Sequence, residues 1–228
     1  MSDRVLAVFP HPDDESFGKA GTLIKHVEAG DEVTLICATM GQMGRRMGNP
    51  FFANRETLPD IRKKELQDAC DVIGIKDVRM WMMQDKTLQF RDPAFLADKI
   101  QAVINEKKPT ILYSFYPKHG VHPDHDSLAV AAALAVSRMP EEERPVFYGS
   151  AFSKNHLEVL GEADVVNDVS DVLDEKMDAM RAHRSQSELI TLPLEQKIAK
   201  EPDKKAEIMK PFTQEKFWIY PRPHEQSK

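Results

Sequence analysis

The chain has 228 residues, 41% of them hydrophobic and 30% charged, and its 37 acidic against 31 basic side chains give a net charge of −6. That length predicts one domain, and the acidic balance speaks against a non-specific nucleic-acid binder. Two cysteines cannot build a disulfide framework, no run approaches the roughly 20 apolar residues of a membrane span, and the apolar run at 5–9 is too short for a secretory signal, so a cytoplasmic protein is expected.

Residues 5–9 (VLAVF) read as a buried strand and 17–29 as a helix ended by Gly30-Asp31. The next strand is 33–38 (VTLICA). A helix over 55–73 carries Leu58, Ile61, Leu66, Ala69, Val72 and Ile73 near helical spacing, with Gly74 as its stop. Residues 78–82 form a strand. A helix over 93–105 has Asp92 in cap position before a proline at its first residue. Residues 111–116 (ILYSFY) are a strand, 127–139 an alanine-rich helix, 146–152 a strand and 172–184 a helix. The segment 194–216, rich in Glu, Lys and Gln, reads as a solvated helix or mobile lid. About 188–228 is therefore peripheral to a single domain spanning 1–228, with a loose tail after Tyr220. Strands alternating with helices predict an α/β fold with a mostly parallel sheet. Active sites in such sheets lie beyond the carboxyl ends of the strands, which points to the residues after Phe9, Ala38 and Tyr116.

Two of those places concentrate metal-binding side chains. His11-Pro12-Asp13-Asp14-Glu15 follows the first strand, and His119-Gly120-Val121-His122-Pro123-Asp124-His125 follows ILYSFY. Asp13 and Asp14 would also suit a helix N-terminus, with His11 incidental. Three histidines within seven residues, facing a second His-Asp cluster, favour a metal site instead. The expected ligands are His11, Asp14 and His125, two histidines and a carboxylate that leave room for a water. Zinc is the expected ion, one per chain, although such a set also admits other divalent metals. Asp13, beside a ligand but free itself, is placed to take a proton from that water. His122 would stabilise an oxyanion or protonate a leaving group. Asp124 either orients a histidine or caps the following helix.

These residues carry a family resemblance. HPDDE near the start and HPDH in the middle resemble the LmbE-like, or PIG-L, zinc N-deacetylases. The Gly41–Gly44 turn, Arg62-Lys63-Lys64-Glu65-Leu66 and Ala182-His183-Arg184-Ser185-Gln186 match as well, so the likeness spans about residues 4–187. It implies a Rossmann-like three-layer sandwich with helices on both faces of the sheet, and removal of acetyl from an N-acetylglucosamine conjugate. It implies His11, Asp14 and His125 as zinc ligands, Asp13 as general base, His122 as the transition-state histidine and Arg62 as a substrate-binding arginine. It also implies a homo-oligomer, a trimer or hexamer. GNPFFANRETLP at 48–59 together with HGVHPDHD is similar to a narrower branch, the second type of bacillithiol-biosynthesis deacetylase, whose substrate is N-acetylglucosaminyl-L-malate. Another N-acetylglucosamine conjugate, or a bacillithiol S-conjugate amidase, is the alternative. Some relatives have a tyrosine just before HPDH. Lys118-His119-Gly120-Val121 has none, and Tyr116 is displaced.

The loop 41–55 adds an independent signal. Arg45, Arg46 and Arg55 suit bidentate recognition of carboxylates, and Gly41, Gly44 and Gly48 permit close backbone approach to a ligand. A solvated loop with charges for solubility is the plainer reading. A nucleotide-binding module would need glycines where HPDDE stands, and those carboxylates would repel a pyrophosphate. A metal store without turnover would have no use for the unligated Asp13 and His122. Met80 to Met83 are expected in the core, Cys37 and Cys70 as buried thiols, and His26, His156 and His224 as structural or exposed.

Overall fold

A computed structural model describes residues 2–221. Seven strands form one sheet, in the order β3-β2-β1-β4-β5-β7-β6. The first five, β1 (Arg4–Phe9), β2 (Glu32–Thr39), β3 (Asp77–Met83), β4 (Ile111–Phe115) and β5 (Val146–Ser150), are mutually parallel. Helices α1 (Ala20–Glu28), α2 (Leu58–Ile73), α3 (Pro93–Lys107) and α4 (Pro123–Ser137) connect them. The period-2 alternation of β1 divides its side chains between two cores. Val5, Ala7 and Phe9 pack with α1, α2 and Ala179 of α6 (Leu173–Ala182), while Leu6 and Val8 pack with α3 and α4. The three-layer sandwich expected from the sequence is therefore present.

Helix boundaries moved where capping chemistry moved them. The helix expected over 127–139 starts at Pro123, because Pro123 fits a first-turn position and the His122 side chain accepts from Asp124 N. His125 consequently stands in the first turn of α4. The helix over 93–105 runs to Lys107 and keeps its predicted cap, Asp92 accepting from Ala94 N at 2.8 Å. In α2 the buried face is rotated from the apolar pattern. Arg62 and Glu65 are buried and Val72 is exposed, because partners for the two charges lie inside.

The C-terminal segment departs most from expectation. Residues 194–216 are not a single lid. They contain the end of α7 (Arg184–Lys200), the short α8 (Lys205–Met209) and the start of β7 (Gln214–Tyr220). β7 pairs antiparallel with β5 and also with β6 (Val165–Asp168), a strand the sequence pattern did not reveal. Phe217 and Trp218 of β7 are buried. The short α5 (His156–Leu160) precedes β6. The tail beyond Pro221, with His224, lies outside the described residues. Of the methionine run, Met80 and Met83 pack against the two cores with Trp81, but Met82 is exposed, turned outward by a φ of +54°. Both cysteines are buried. Among the described residues no helix is long and apolar enough to cross a membrane.

Candidate active site

Connections leave β1 toward β2 and β3 on one side, and β4 toward β5 on the other. The loops after β1 and β4 therefore diverge above the boundary between them, which opens a crevice at the carboxyl end of the sheet. HPDDE and HPDH flank that crevice.

Three candidate ligand side chains converge there. His11 Nδ1 lies 3.1 Å from His125 Nε2 and 3.4 Å from Asp14 Oδ2, and His125 Nε2 lies 3.4 Å from Asp14 Oδ1. A tetrahedral ion bound at ~2.0–2.2 Å holds its donors about 3.4 Å apart, so this set fits a divalent metal. Each imidazole is oriented through its other nitrogen. His125 Nδ1 is 2.9 Å from the Gly120 carbonyl, and the ring stacks on Phe115 at 3.9 Å. His11 Nε2 is 3.3 Å from Asp124 Oδ2 and 3.1 Å from Asp85 Oδ1. Such partners fix the tautomer and leave Nδ1 of His11 and Nε2 of His125 for the ion.

The electrostatics favour a cation. Burial alone disfavours a charged His11, yet Asp124, Asp14 and Asp85 raise its pKa well above the usual imidazole value. Burial would likewise raise the Asp14 carboxyl, but His125 and His11 draw it far below the carboxylate range. A site that holds a proton on a buried imidazole in this way attracts a metal ion for the same reason.

Asp13 is adjacent and different. Its backbone φ is +131°, a conformation costly for a residue with a side chain. Arg62 Nη2 donates to Asp13 Oδ2 at 2.9 Å and also to the Pro12 carbonyl, while Arg62 Nη1 donates to the Gly41 carbonyl at 2.8 Å. Asp13 N donates to Glu15, whose carboxylate is held by Ser16 and, at 2.6 Å, by the buried His183. Burial raises the Asp13 carboxyl to about 6, against the opposing pull of Arg62. His122 sits 4.8 Å from His11, ring to ring. Its Nδ1 accepts from Asp124 N, so the proton of the neutral ring is on Nε2. Burial first, then the charge of His11, lowers its pKa, which favours that neutral form.

A cleft of about 360 Å³ is lined by His11, Asp13, Asp14, Arg62, His122 and His125, with Arg45, Lys86, Asp85 and Gln186 in its walls. Six of the ten residues expected from the sequence, the three candidate ligands with Asp13, His122 and Arg62, thus meet at one place. Arg45 is exposed at the edge of the cleft.

The remaining sequence candidates sit differently. Arg46 Nη1 donates to the Gln186 carbonyl, and Arg55 Nη1 to the carbonyls of Gln42 and Gly44. Arg46 thus ties the loop to the start of α7 and Arg55 braces it internally, and neither lines the cleft. For Asp124 the geometry favours the first of its two readings. It is fully buried and accepts from Lys86 N, Leu88 N and the His11 ring, so it orients a histidine and does not cap α4. Gly41 makes room for Arg62, not for a ligand: a Cβ there would fall 2.2 Å from Arg62 Nη1.

Sequence reasoning also missed groups. Asp85 follows β3, a strand end outside the three to which the sequence points. It is buried, accepts from Met43 N, and its Oδ1 lacks a well-aligned hydrogen bond. His183 and Glu15 both stand in the motifs quoted from the sequence, but only the fold shows that they form a buried pair. Tyr116 is turned into a small core with Trp218 and Leu160, and no tyrosine lines the cleft among the described residues.

Residues 6–136 match the family described as GlcNAc-PI de-N-acetylase, PIG-L. The chain is 53% identical over 220 residues to a Bacillus cereus protein named probable N-acetyl-alpha-D-glucosaminyl L-malate deacetylase 2, covering 96% of this chain and 99% of that one. A Bacillus subtilis protein of the same name is 47% identical, with 96% and 98% covered. Among solved structures, N,N'-diacetylchitobiose deacetylase from Pyrococcus horikoshii superposes with a TM-score of 0.69 over 96% of this chain and 84% of that one. At 21% identity that likeness shows the fold.

Proposed function

The chain belongs to the PIG-L family of de-N-acetylases, and from that premise we propose that it hydrolyses the acetamide of N-acetylglucosaminyl-L-malate, in bacillithiol biosynthesis. The products are acetate and glucosaminyl-malate. The observation that carries this reading is the convergence of His11 Nδ1, His125 Nε2 and the Asp14 carboxylate within 3.4 Å of one another, beside an unligated Asp13. The names of the Bacillus relatives supply the substrate.

His11, Asp14 and His125 hold one zinc ion, or another divalent metal in its place. When bound, the ion supplies Lewis acidity toward the amide carbonyl and lowers the pKa of a water to about 7. Asp13 takes the proton from the attacking water; a carboxyl near 6 is mostly ionised at neutral pH yet basic enough to accept it. Arg62 fixes the carboxylate of Asp13. His122, neutral with its proton on Nε2, donates a hydrogen bond to the oxygen of the tetrahedral species. The proton on Asp13 then passes to the departing nitrogen. Asp85, its Oδ1 3.1 Å from His11 Nε2, helps hold that ring with Nδ1 free for the ion. The chain works as one unit in the cytoplasm and assembles as a homo-oligomer.

The test is acetate release by metal-loaded protein from N-acetylglucosaminyl-malate, with free N-acetylglucosamine and a malate-free glycoside in parallel. The expected result is turnover that favours the malate conjugate. Equal turnover of all three would leave the deacetylase chemistry but remove the malate assignment. No acetate from any would remove both.

A further inference from the structure

A second cavity, about 960 Å³, adjoins the ligand triad on the side away from Arg62. Asp14, Phe17 and His125 line both it and the smaller cleft, so a molecule bound at the triad reaches from one into the other. The walls differ. The cleft presents carboxylate, guanidinium and amide groups, which suit sugar hydroxyls. The larger cavity is walled by Phe115, Phe152, Phe212 and Trp218, with Lys19 among them.

Lys19 is 1% exposed. Its Nζ has a single long hydrogen bond, 3.4 Å to the Phe17 carbonyl, and stands over the rings of Phe115, Phe9 and Phe152 at 4.3, 4.9 and 5.4 Å. The other buried lysine in this wall, Lys176, is paired with Glu215 at 2.9 Å and with the Phe212 carbonyl. Lys19 has no ion-pair partner of that kind among the described residues. Its charge is balanced only at longer range, by Asp14 first, then Glu215 and Glu15, and burial lowers its pKa. Asp14 belongs to the ligand set, so a bound cation spends that balance. Lys210 and Lys216, both exposed, stand at the rim of the same cavity. The lysines of this lining, four against the three carboxylates Asp14, Glu207 and Glu215, leave a small excess of positive charge beside the reaction centre, with Lys19 the buried one that lacks a close ion pair.

We propose that this cavity is the subsite for the carboxylate-bearing group on the sugar's anomeric carbon, with the Lys19 ammonium as its charge partner. The inference rests on the deacetylase reading above. In a 2-acetamido sugar the anomeric carbon is bonded to the carbon that carries the amide. With the amide at the triad, the anomeric substituent lies beside the triad, where two spaces open; the smaller cleft suits the sugar hydroxyls, which leaves the Lys19 cavity for the substituent. The loop arginines Arg46 and Arg55, bonded to backbone carbonyls, leave this role open. A buried ammonium gives a carboxylate a stronger, less screened contact than exposed loop charges can.

The test compares kcat/KM on N-acetylglucosaminyl-malate with kcat/KM on methyl N-acetylglucosaminide, for wild type and Lys19→Met. A drop in the preference for the malate conjugate of about tenfold or more, carried by KM, is expected, with Lys19→Arg restoring part of it. Calorimetric affinity for glucosaminyl-malate against methyl glucosaminide should fall in parallel. If Lys19→Met does not fold, the double variant Lys210→Ala/Lys216→Ala should still lower the preference, and more so at low salt. A preference unchanged in these variants, or a Lys19→Met loss equal on both substrates, would overturn the subsite. A wild type that does not prefer the malate conjugate would instead overturn the functional reading, so the two failures are distinguishable.

Discussion

The loops after β1 and β2 leave neighbouring parallel strands at the same end of the sheet, and both are dense in charge. The first, from His11 to Lys19, is almost wholly buried, and its backbone is strained at Asp13. The second, 41–55, is largely exposed, and two of its three arginines are spent on backbone carbonyls. Charge along a loop does not by itself make a binding site. A charge held under a packed neighbour, with its remaining bonds satisfied, does.

The largest expected effect breaks the first loop at its ligands. His11→Ala, or Asp14→Ala, should lower metal content to near zero at stoichiometric zinc and abolish acetate release, checked by elemental analysis beside the assay. Full metal occupancy in both variants would show that the triad is not the metal site. Next comes Arg62→Ala, which leaves Asp13 half-buried without its cation and removes the bonds to Pro12 and Gly41. A loss of about ten- to a hundredfold in kcat/KM is expected, with about 3 kcal/mol of stability lost by denaturant titration.

The pH profile sharpens the same point. Asp13 must be ionised to accept a proton, and burial raises it to about 6. The acid limb of kcat/KM should therefore fall as pH drops through about 6. Arg62 lowers that pKa, so the limb should shift to higher pH in Arg62→Ala. A limb that stays in place would detach Arg62 from the base. The smallest effect belongs to the second loop. Arg46→Ala and Arg55→Ala should change KM less than about threefold and cost about 1 kcal/mol of stability each. A tenfold rise in KM would return these arginines to substrate recognition.

The legible part of the molecule was local. Five parallel strands could be read because each is a short apolar run between polar turns, and the two clusters were legible because ligand chemistry needs His and Asp close in sequence. β7 was hidden because its polar approach, 200–216, masks the apolar residues that follow, and β6 because four residues are too few for a pattern. Asp85 and Lys19 were hidden for another reason: each has an ordinary sequence neighbourhood, and its significance comes from partners far along the chain, His11 for Asp85 and the rings of Phe115 and Phe152 for Lys19. His183 stands in the matching stretch 182–186, and only its distant partner Glu15 shows what it holds. Asp124 was read with two roles open, and only the bonds to Lys86 N and Leu88 N decided between them.

The central claim is that ligation and proton transfer are divided between adjacent aspartates, Asp14 and Asp13. Asp13→Asn tests it most directly, with metal content and acetate release measured on one preparation. The expected result is about one metal ion per chain and a kcat lowered roughly 10²–10⁴-fold. Wild-type turnover at full metal occupancy, or loss of the metal itself, would contradict it.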